Sequence, residues 1–308
     1  MQVVYVVSSY QRLVHGPSTK MMKLKYVSVM ARSFNPAKKA LGQHFLKDST
    51  ILNKIIDAAD LSETEHVLEI GPGKGALTKR LLQKSASVTA IELDKDLING
   101  PLNDLFGDPN FHLIEGDARE VNIEEVFSES PHFKLVANLP YNAGTNILRK
   151  LLFSKMSPTF TVVMLQREVA RNITADSGNL NILGVLFQTY YETHYHFNVQ
   201  PRSFSPQPKV VSGVISLKRN CTPLLPPSSA GDFFKFLTNG FSAPRKQLHN
   251  SLSLGLGISI QRVKDICYQL DLDTELRPSY IEVNEWVSLY EAFCESGHMG
   301  ALNKNTRP

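Results

Sequence analysis

The sequence has few cysteines and no long apolar run. Its three cysteines, Cys221, Cys267 and Cys294, are widely spaced and form no CxxC pair, so neither a disulfide framework nor a zinc site is indicated. No apolar stretch approaches the roughly 18 residues that a membrane helix needs. The 308 residues, 42% hydrophobic and 20% charged, have the composition of a globular protein with one large and one small domain. We therefore expect a protein without metal or membrane contact, in a reducing compartment.

Acidic residues are absent from the first 47 positions, which carry eight lysines and arginines. The net charge of +4 therefore conceals a remainder with 25 basic and 29 acidic residues. Any argument for nucleic-acid binding must rest on local basic patches and not on the overall charge. A second acid-free patch covers residues 233–264 and contains Lys235, Arg245, Lys246, Arg262 and Lys264.

Residues 1–37 form a basic extension for which we expect no fixed structure, and three explanations compete. The first is a start codon assigned too early, with Met30 opening the natural chain of a cytoplasmic protein. We favour it because the segment has no clear amphipathic period. The second is a transit peptide for a plastid or a mitochondrion, and the third is a flexible arm that binds RNA phosphates.

Apolar runs alternate with helical patterns from about residue 48 onward, and this alternation predicts an α/β fold. A sheet built in this way is mostly parallel and is covered by helices on both faces. The first five predicted strands cover residues 66–71, 87–92, 111–116, 133–138 and 159–166.

Helices are predicted at residues 49–61, with Ser49 or Thr50 as the N-cap, and at 76–84. Two further strands, near 194–200 and 209–219, follow one another without a helix between them. We therefore expect one of these two strands to run antiparallel.

The chain divides where its composition changes. Residues 219–232 are rich in proline and serine, which predicts a linker. The linker separates a large α/β domain at 38–218 from a small helical domain at 233–296, with Trp286 expected in its core. Residues 297–308 are predicted to be a disordered tail.

A glycine-rich turn follows the first predicted strand. Gly71, Gly73 and Gly75 allow a tight turn and a close approach of the backbone to a ligand. Glu92 ends the next strand about twenty residues later, where a carboxylate can accept both hydroxyls of a ribose. Pro72 breaks the dinucleotide fingerprint and so disfavours NAD. The alternative is a purely structural turn with Glu92 in solvent.

The third predicted strand ends in Asp117 and Ala118, at the edge of the same crevice. The carboxylate can accept a hydrogen bond from the amine of an adenine, and the small Ala118 leaves room for the ring. The tripeptide Gly116-Asp117-Ala118 is also common in turns, so a structural role remains the alternative.

The fourth predicted strand ends in the sequence NLPYN at 138–142. Asn138 offers a side-chain carbonyl, Leu139 and Pro140 offer backbone carbonyls, and Tyr141 offers a ring face for stacking. A planar base with an exocyclic amine needs such groups. Taken alone, the segment is more typical of a strand cap, formed by Asn138, followed by a turn at Pro140 and Tyr141.

Several motifs together resemble the ribosomal RNA adenine N6-dimethyltransferases of the KsgA type. They occur in the order and spacing of that family and cover residues 38–293. The motifs are LGQHFL (41–46), EIGPGKGALT (69–78), IELDKDL (91–97), EGDA (115–118), NLPYNAGTNIL (138–148), MLQREVA (164–170), RSFSPQPKVVSGV (202–214), APRKQLHNSL (243–252) and LRPSYIEVNEWVSLY (276–290).

The resemblance implies a class I, Rossmann-like methyltransferase domain that uses S-adenosyl-L-methionine. The implied target-adenine contacts are the segment from Asn138 to Tyr141 and Phe204, which would cover the other face of the base. The implied donor-binding residues are Gln43, His44, Leu46, Gly71, Gly73, Glu92, Leu93, Asp117, Ala118 and Asn138.

The implied substrate is a pair of adjacent adenosines in the 3′-terminal hairpin loop of small-subunit rRNA, methylated by a monomer on an assembling subunit. Arg245 and Lys246 are expected to contact RNA phosphates, because no acidic residue is near them in the sequence. The family often has an acidic residue at the position of Val211 and polar or basic residues at those of Ala243 and His249. These departures concern the RNA contacts and not the chemistry.

Two other functions remain open. One is a related methyltransferase of large-subunit rRNA that gives antibiotic resistance, and the other is a non-catalytic RNA-binding protein or transcription factor of the same fold. The proline in EIGPG and the segment PSYIEVNEWVSLY favour the small-subunit enzyme over the first. The intact NLPY segment and both acidic residues argue against the second.

Overall fold

The computed structural model describes residues 43–130 and 132–297. The predicted N-terminal extension and all but the first residue of the predicted tail lie outside these ranges. The strands in the described part are β1 (Phe45–Leu46), β2 (His66–Ile70), β3 (Ser87–Glu92), β4 (Phe111–Glu115), β5 (Phe133–Asn138), β6 (Phe160–Gln166), β7 (Tyr191–Val199), β8 (Phe204–Ser205) and β9 (Ser212–Arg219).

The helices of the described part lie mainly between these strands and after β9. They are α1 (Ser49–Ala59), α2 (Thr78–Leu82), α3 (Lys95–Ile98), α4 (Ile123–Val126), α5 (Gly144–Leu152), α6 (Arg167–Ile173), α7 (Ile182–Tyr190), α8 (Ala230–Gly240), α9 (Leu248–Leu256), α10 (Ile260–Gln269) and α11 (Val283–Glu295). Within the described ranges, no helix combines the length and apolar character that a membrane crossing requires.

The central sheet has seven strands in the order β4-β3-β2-β5-β6-β9-β7. Neighbours from β4 to β6 are parallel, whereas β9 pairs antiparallel with both β6 and β7. The predicted α/β fold is therefore confirmed, and β9 is the expected antiparallel strand. The carboxyl ends of β2, β3, β4 and β5 meet at one edge, where open α/β sheets bind ligands.

A short two-stranded sheet, which the sequence did not predict, connects the start of the described chain to this edge. β1 pairs antiparallel with β8, with Leu46 opposite Phe204. The side chain of Asp48 accepts hydrogen bonds from the backbone N–H groups of Thr50 and Ile51, so it is the N-cap of α1. The prediction of Ser49 or Thr50 as the cap was wrong, because the carboxylate of Asp48 already satisfies these donors.

The small helical domain shares one apolar core cluster with the sheet. Trp286 is fully buried and packs edge-on against Phe236, which confirms the predicted core position. The linker prediction was too long, because α8 begins at Ala230 and Leu225 is buried. Residues 227–229 form a 3-10 turn that leads into α8, in keeping with the preference of proline for helix starts.

Candidate active site

A cavity of about 280 Å³ opens at the carboxyl edge of the sheet. Most of the residues predicted for the donor and the target base line it together. They are Gln43, His44, Leu46, Gly71, Gly73, Glu92, Leu93, Asp117, Ala118, Asn138, Leu139, Pro140 and Tyr141.

The glycine turn after β2 encloses the carboxylate of Glu92. The side-chain atom Oε1 accepts hydrogen bonds from the N–H groups of Leu93 and Asp94, both at 2.9 Å, and Oε2 accepts one from Gly73 at 3.3 Å. Gly73 has φ +60°, and a Cβ atom there would lie 3.0 Å from the Phe45 ring, so a larger residue would be strained. Burial raises the pKa of Glu92. Oε2 retains acceptor capacity toward the cavity.

Glu69, on β2, is a second buried carboxyl group, and the sequence analysis assigned it no role. It is 2% exposed and lines the cavity. The side chain of the buried Thr78 lies beside it, although within the described residues neither Oε2 of Glu69 nor Oγ1 of Thr78 has a partner at full hydrogen-bond geometry. Burial, with a contribution from the nearby Glu92, raises the pKa of Glu69 to about 8. A glutamate in an otherwise apolar strand was the sequence signal that could have identified it.

Glu69 should make the stability of the fold dependent on pH. Because its pKa is raised in the folded state, the wild-type protein should lose stability as the pH rises from about 5 to 8. We expect Glu69→Gln, which cannot ionise, to gain relative stability over this range by up to about 1.4 kcal/mol per pH unit. Urea unfolding at several pH values measures this difference. The same trend in the exposed Glu63→Gln control would show that Glu69 is not its source.

Asp117 lies at the rim of the cavity but is already paired with Arg119. Nε of Arg119 is 3.0 Å from both carboxylate oxygens of Asp117, and this contact lowers the pKa of Asp117. The Arg119 side chain is 56% exposed, but the contact is bidentate and the Asp117 side chain is only 16% exposed. A ligand amine would therefore have to compete with Arg119 for this carboxylate, beside the buried Ala118.

The side chain of Asn138 is held by the segment that precedes α1. Its Nδ2 atom donates to the carbonyl of His44 at 3.2 Å, which leaves Oδ1 as an acceptor. A hydrogen bond also fixes the side chain of Gln43, whose Nε2 atom donates to the carboxylate of Asp94 at 2.7 Å. The backbone of His44 thus orients the first residue of NLPYN.

The backbone carbonyls of NLPYN differ from each other. The carbonyl of Pro140 accepts N–H groups of Ala143 and Gly144 at 3.2 and 2.7 Å and so begins α5. The prediction that Pro140 provides the acceptor was therefore wrong, since the helix start uses both lone pairs. The carbonyl of Leu139 has no hydrogen bond within the described chain, and the proline that follows it has no N–H to offer.

The ring of Tyr141 is fixed at two places. Its hydroxyl forms a short hydrogen bond with Ser212 of β9. The ring of His44 stacks on it with a centroid distance of 5.4 Å and an interplanar angle of 30°. Nδ1 of His44 lies 2.9 Å from the carbonyl oxygen of Pro206 and donates a hydrogen bond to it. Sequence reasoning missed the contribution of Ser212, which reaches the site only through the strand order.

Phe204 is not brought to the cavity. Its side chain is 1% exposed and packs in an apolar cluster beneath the β1–β8 pair. Burial of a large aromatic ring stabilises this position. The structure thus offers no support for the predicted contact of Phe204 with the base.

Arg245 and Lys246 lie far along the chain from this cavity, in the turn between α8 and α9. Both side chains are exposed, and neither forms an ion pair within the described ranges. In the same ranges, no cluster of histidine, cysteine and acidic residues could hold a metal ion.

The strand order of the sheet, and the cavity beside the buried Glu92 at its carboxyl edge, are those of a Rossmann-like methyltransferase fold. The family model for ribosomal RNA adenine dimethylase matches residues 34–293. The chain therefore belongs to the ribosomal RNA adenine dimethylase family, as the sequence motifs indicated.

Individual relatives agree with this assignment. Ribosomal RNA small subunit methyltransferase A of Dehalococcoides mccartyi (strain CBDB1) is 39% identical over 253 residues, 82% of this chain and 87% of the relative. A dimethyladenosine transferase from Plasmodium falciparum superposes with a TM-score of 0.69 at 26% identity, over 82% of this chain and 98% of that one. The 23S rRNA methyltransferase ErmE superposes with a TM-score of 0.64 at 25% identity, over 80% of this chain and 98% of that one.

Proposed function

We propose that this protein transfers methyl groups from S-adenosyl-L-methionine to N6 of two adjacent adenosines in the 3′-terminal hairpin loop of small-subunit rRNA, during subunit assembly. One observation carries the proposal. The buried Glu92 and the segment from Asn138 to Tyr141 line the same cavity, so a donor and an adenine can meet there.

The cavity fits the methyl donor by its chemistry. Oε2 of Glu92 is a buried acceptor suited to ribose hydroxyls, and the turn at Gly71 and Gly73, which has no side chains at these positions, allows close approach of the ligand. Asp117 and Ala118 would hold the adenine of the donor, with Arg119 displaced. The bound donor supplies an electrophilic methyl group on a sulfonium centre.

The protein activates the adenine by positioning it. The N6 lone pair is delocalised into the purine, so acceptors that hold its two hydrogens favour the pyramidal, nucleophilic form. Oδ1 of Asn138 and the carbonyl of Leu139 are the acceptors available for this role. The ring of Tyr141 gives the base a stacking surface, which requires an unpaired or flipped adenosine.

The relatives support the small subunit as the substrate. The small subunit methyltransferase A from Dehalococcoides is 39% identical to this chain, whereas ErmE is 25% identical. We place the activity in the cytoplasm, where such subunits assemble in bacteria. The non-catalytic alternative is disfavoured because Glu92, Asp117 and NLPYN are present in one cavity.

Transfer of a labelled methyl group to purified ribosomal subunits tests the substrate. We expect small subunits that lack the modification to accept label and large subunits to accept little. Preferential labelling of large subunits would instead support the resistance-type enzyme. Donor binding without any transfer would support the non-catalytic protein.

The exposed pair Arg245 and Lys246 should contribute to RNA binding through phosphate contacts. We expect the double change to glutamine to weaken binding to small subunits and to lower the slope of log affinity against log salt by about 0.7–0.9 per lost phosphate contact. Donor affinity should not change. Lys84→Gln with Lys218→Gln, at the opposite edge of the sheet, is the charge-matched control. If both double variants had the same slope of log affinity against log salt, Arg245 and Lys246 would make no RNA phosphate contact of their own.

A further inference from the structure

A second pocket, of about 320 Å³, lies between α5 and the start of α8, and the proposed chemistry does not use it. It is close to the candidate active site, because Ala143 and Ile147 line the first cavity. The second is lined one turn further along by Asn146, Arg149, Lys150 and Phe153, and across from them by Ala230 and Gly231.

Arg149 is the main charged group in this pocket. Its guanidinium carbon lies 3.5 Å from the centre of the Phe234 ring, a stacked position that leaves the N–H groups directed along the ring plane. Its Nε atom is buried and has no hydrogen-bond partner in the described structure. An unsatisfied buried donor in a pocket indicates a missing ligand or water.

The surroundings of Arg149 add positive and little negative potential. Within the described ranges, Nζ of Lys150 donates to the carbonyls of Arg119 and Val121, at 2.6 and 3.0 Å. Asp232, in the first turn of α8, is exposed and paired with Lys235 at 3.0 Å. Burial lowers the pKa of Arg149, and no carboxylate offsets this effect.

Gly231 lines the pocket without a side chain. A Cβ atom added at this position would meet no other atom within 4 Å, and its backbone is not in the left-handed region. The position also lies in the first turn of an eleven-residue helix, whose positive end favours an anion.

We propose that this pocket binds a phosphate group of the RNA substrate, close to the adenosine that enters the active site. The inference rests on the proposed function, because that function supplies RNA as the ligand. Ile147, which lines the first cavity, and Arg149 are two residues apart on α5, an axial rise of about 3 Å, so both sites lie on one short stretch of this helix. Free inorganic phosphate has the same chemistry and is the alternative source.

Two substitutions remove the site in different ways. Arg149→Gln deletes the charge, and Gly231→Glu adds a carboxylate at a lining position where a Cβ atom meets no other atom within 4 Å. We expect each to weaken binding to small subunits about tenfold at low salt and to lower the salt slope by about 0.7–0.9. Lys218→Gln and Gly107→Glu are the matched controls, since Gly107 also faces open space, and both should retain the wild-type slope within about 0.3.

Wild-type affinity and slope in both pocket variants would overturn the inference, as would equal losses in the controls. Inorganic phosphate serves as a competitor, with sodium chloride of equal ionic strength as its reference. Phosphate that binds wild type but not Arg149→Gln, while RNA affinity is unchanged, would make the pocket a free-phosphate site and contradict the proposal. The proposed function is judged separately by methyl transfer, so wild type that binds subunits but transfers no methyl group would refute only that function.

Discussion

Asn138→Ala is expected to slow methyl transfer to small subunits about a hundred- to a thousandfold while changing RNA binding little. In the proposed mechanism, Oδ1 of this side chain accepts a hydrogen bond from the amine of the adenine, and this contact strengthens as N6 becomes pyramidal in the transition state. A single preorganised contact of this kind contributes about 2.7–4 kcal/mol to the rate. The loss should therefore appear in the rate and not in the affinity.

Single-turnover rates with saturating donor and enzyme, together with melting temperatures, measure the effect of Asn138→Ala. Asn122→Ala is a suitable control, because Asn122 caps α4 and its loss lowers stability by about 1 kcal/mol without touching the cavity. If Asn138 served only as a strand cap, both variants would melt earlier and keep their activity. A stable, fully active Asn138→Ala protein would refute its role in transfer.

Glu92→Ala is expected to weaken the binding of S-adenosyl-L-methionine about ten- to a hundredfold. Charge-assisted hydrogen bonds from ribose hydroxyls contribute roughly 1.5–3 kcal/mol. The alanine variant also frees the N–H groups of Leu93 and Asp94, so Glu92→Gln, which retains an acceptor for them, separates the two effects. Because glutamine lacks the charge, we expect the donor affinity of Glu92→Gln to lie between those of wild type and Glu92→Ala.

Calorimetric titration with S-adenosyl-L-methionine measures the donor affinity of the Glu92 variants. Glu115→Ala provides the matched control, because Glu115 lies directly beside Glu92 on the next strand and forms an exposed ion pair with Lys95. We expect its donor affinity to equal that of wild type. Unchanged affinity in Glu92→Ala would exclude the ribose contact.

The carboxyl edge of the sheet could be predicted because strand ends and polar residues coincide in the sequence. Glu92 and Asn138 end their strands at the predicted residues, and parallel pairing then brings them to one cavity. The ends of helices were less predictable. α2 extends only from Thr78 to Leu82, because short helices depend on packing more than on propensity.

Contacts that depend on distant segments could not be predicted from the sequence. The pairing of β1 with β8 buries Phe204 and brings His44 to Tyr141, and neither strand is longer than two residues. The carbonyl of Pro140 accepts its hydrogen bonds from the start of α5, and the strand pattern of the sequence does not show where this helix begins. Glu69 was overlooked because an acid within a fully buried strand is unusual.

Mass spectrometry of nucleosides and fragments from small-subunit rRNA, after reaction of unmodified subunits with the protein and S-adenosyl-L-methionine, tests the proposed function most directly. We predict N6,N6-dimethyladenosine at two adjacent positions in the 3′-terminal hairpin loop, and its loss with Asn138→Ala. Methyl groups on another nucleoside, on large-subunit rRNA alone, or on no RNA would contradict the proposal.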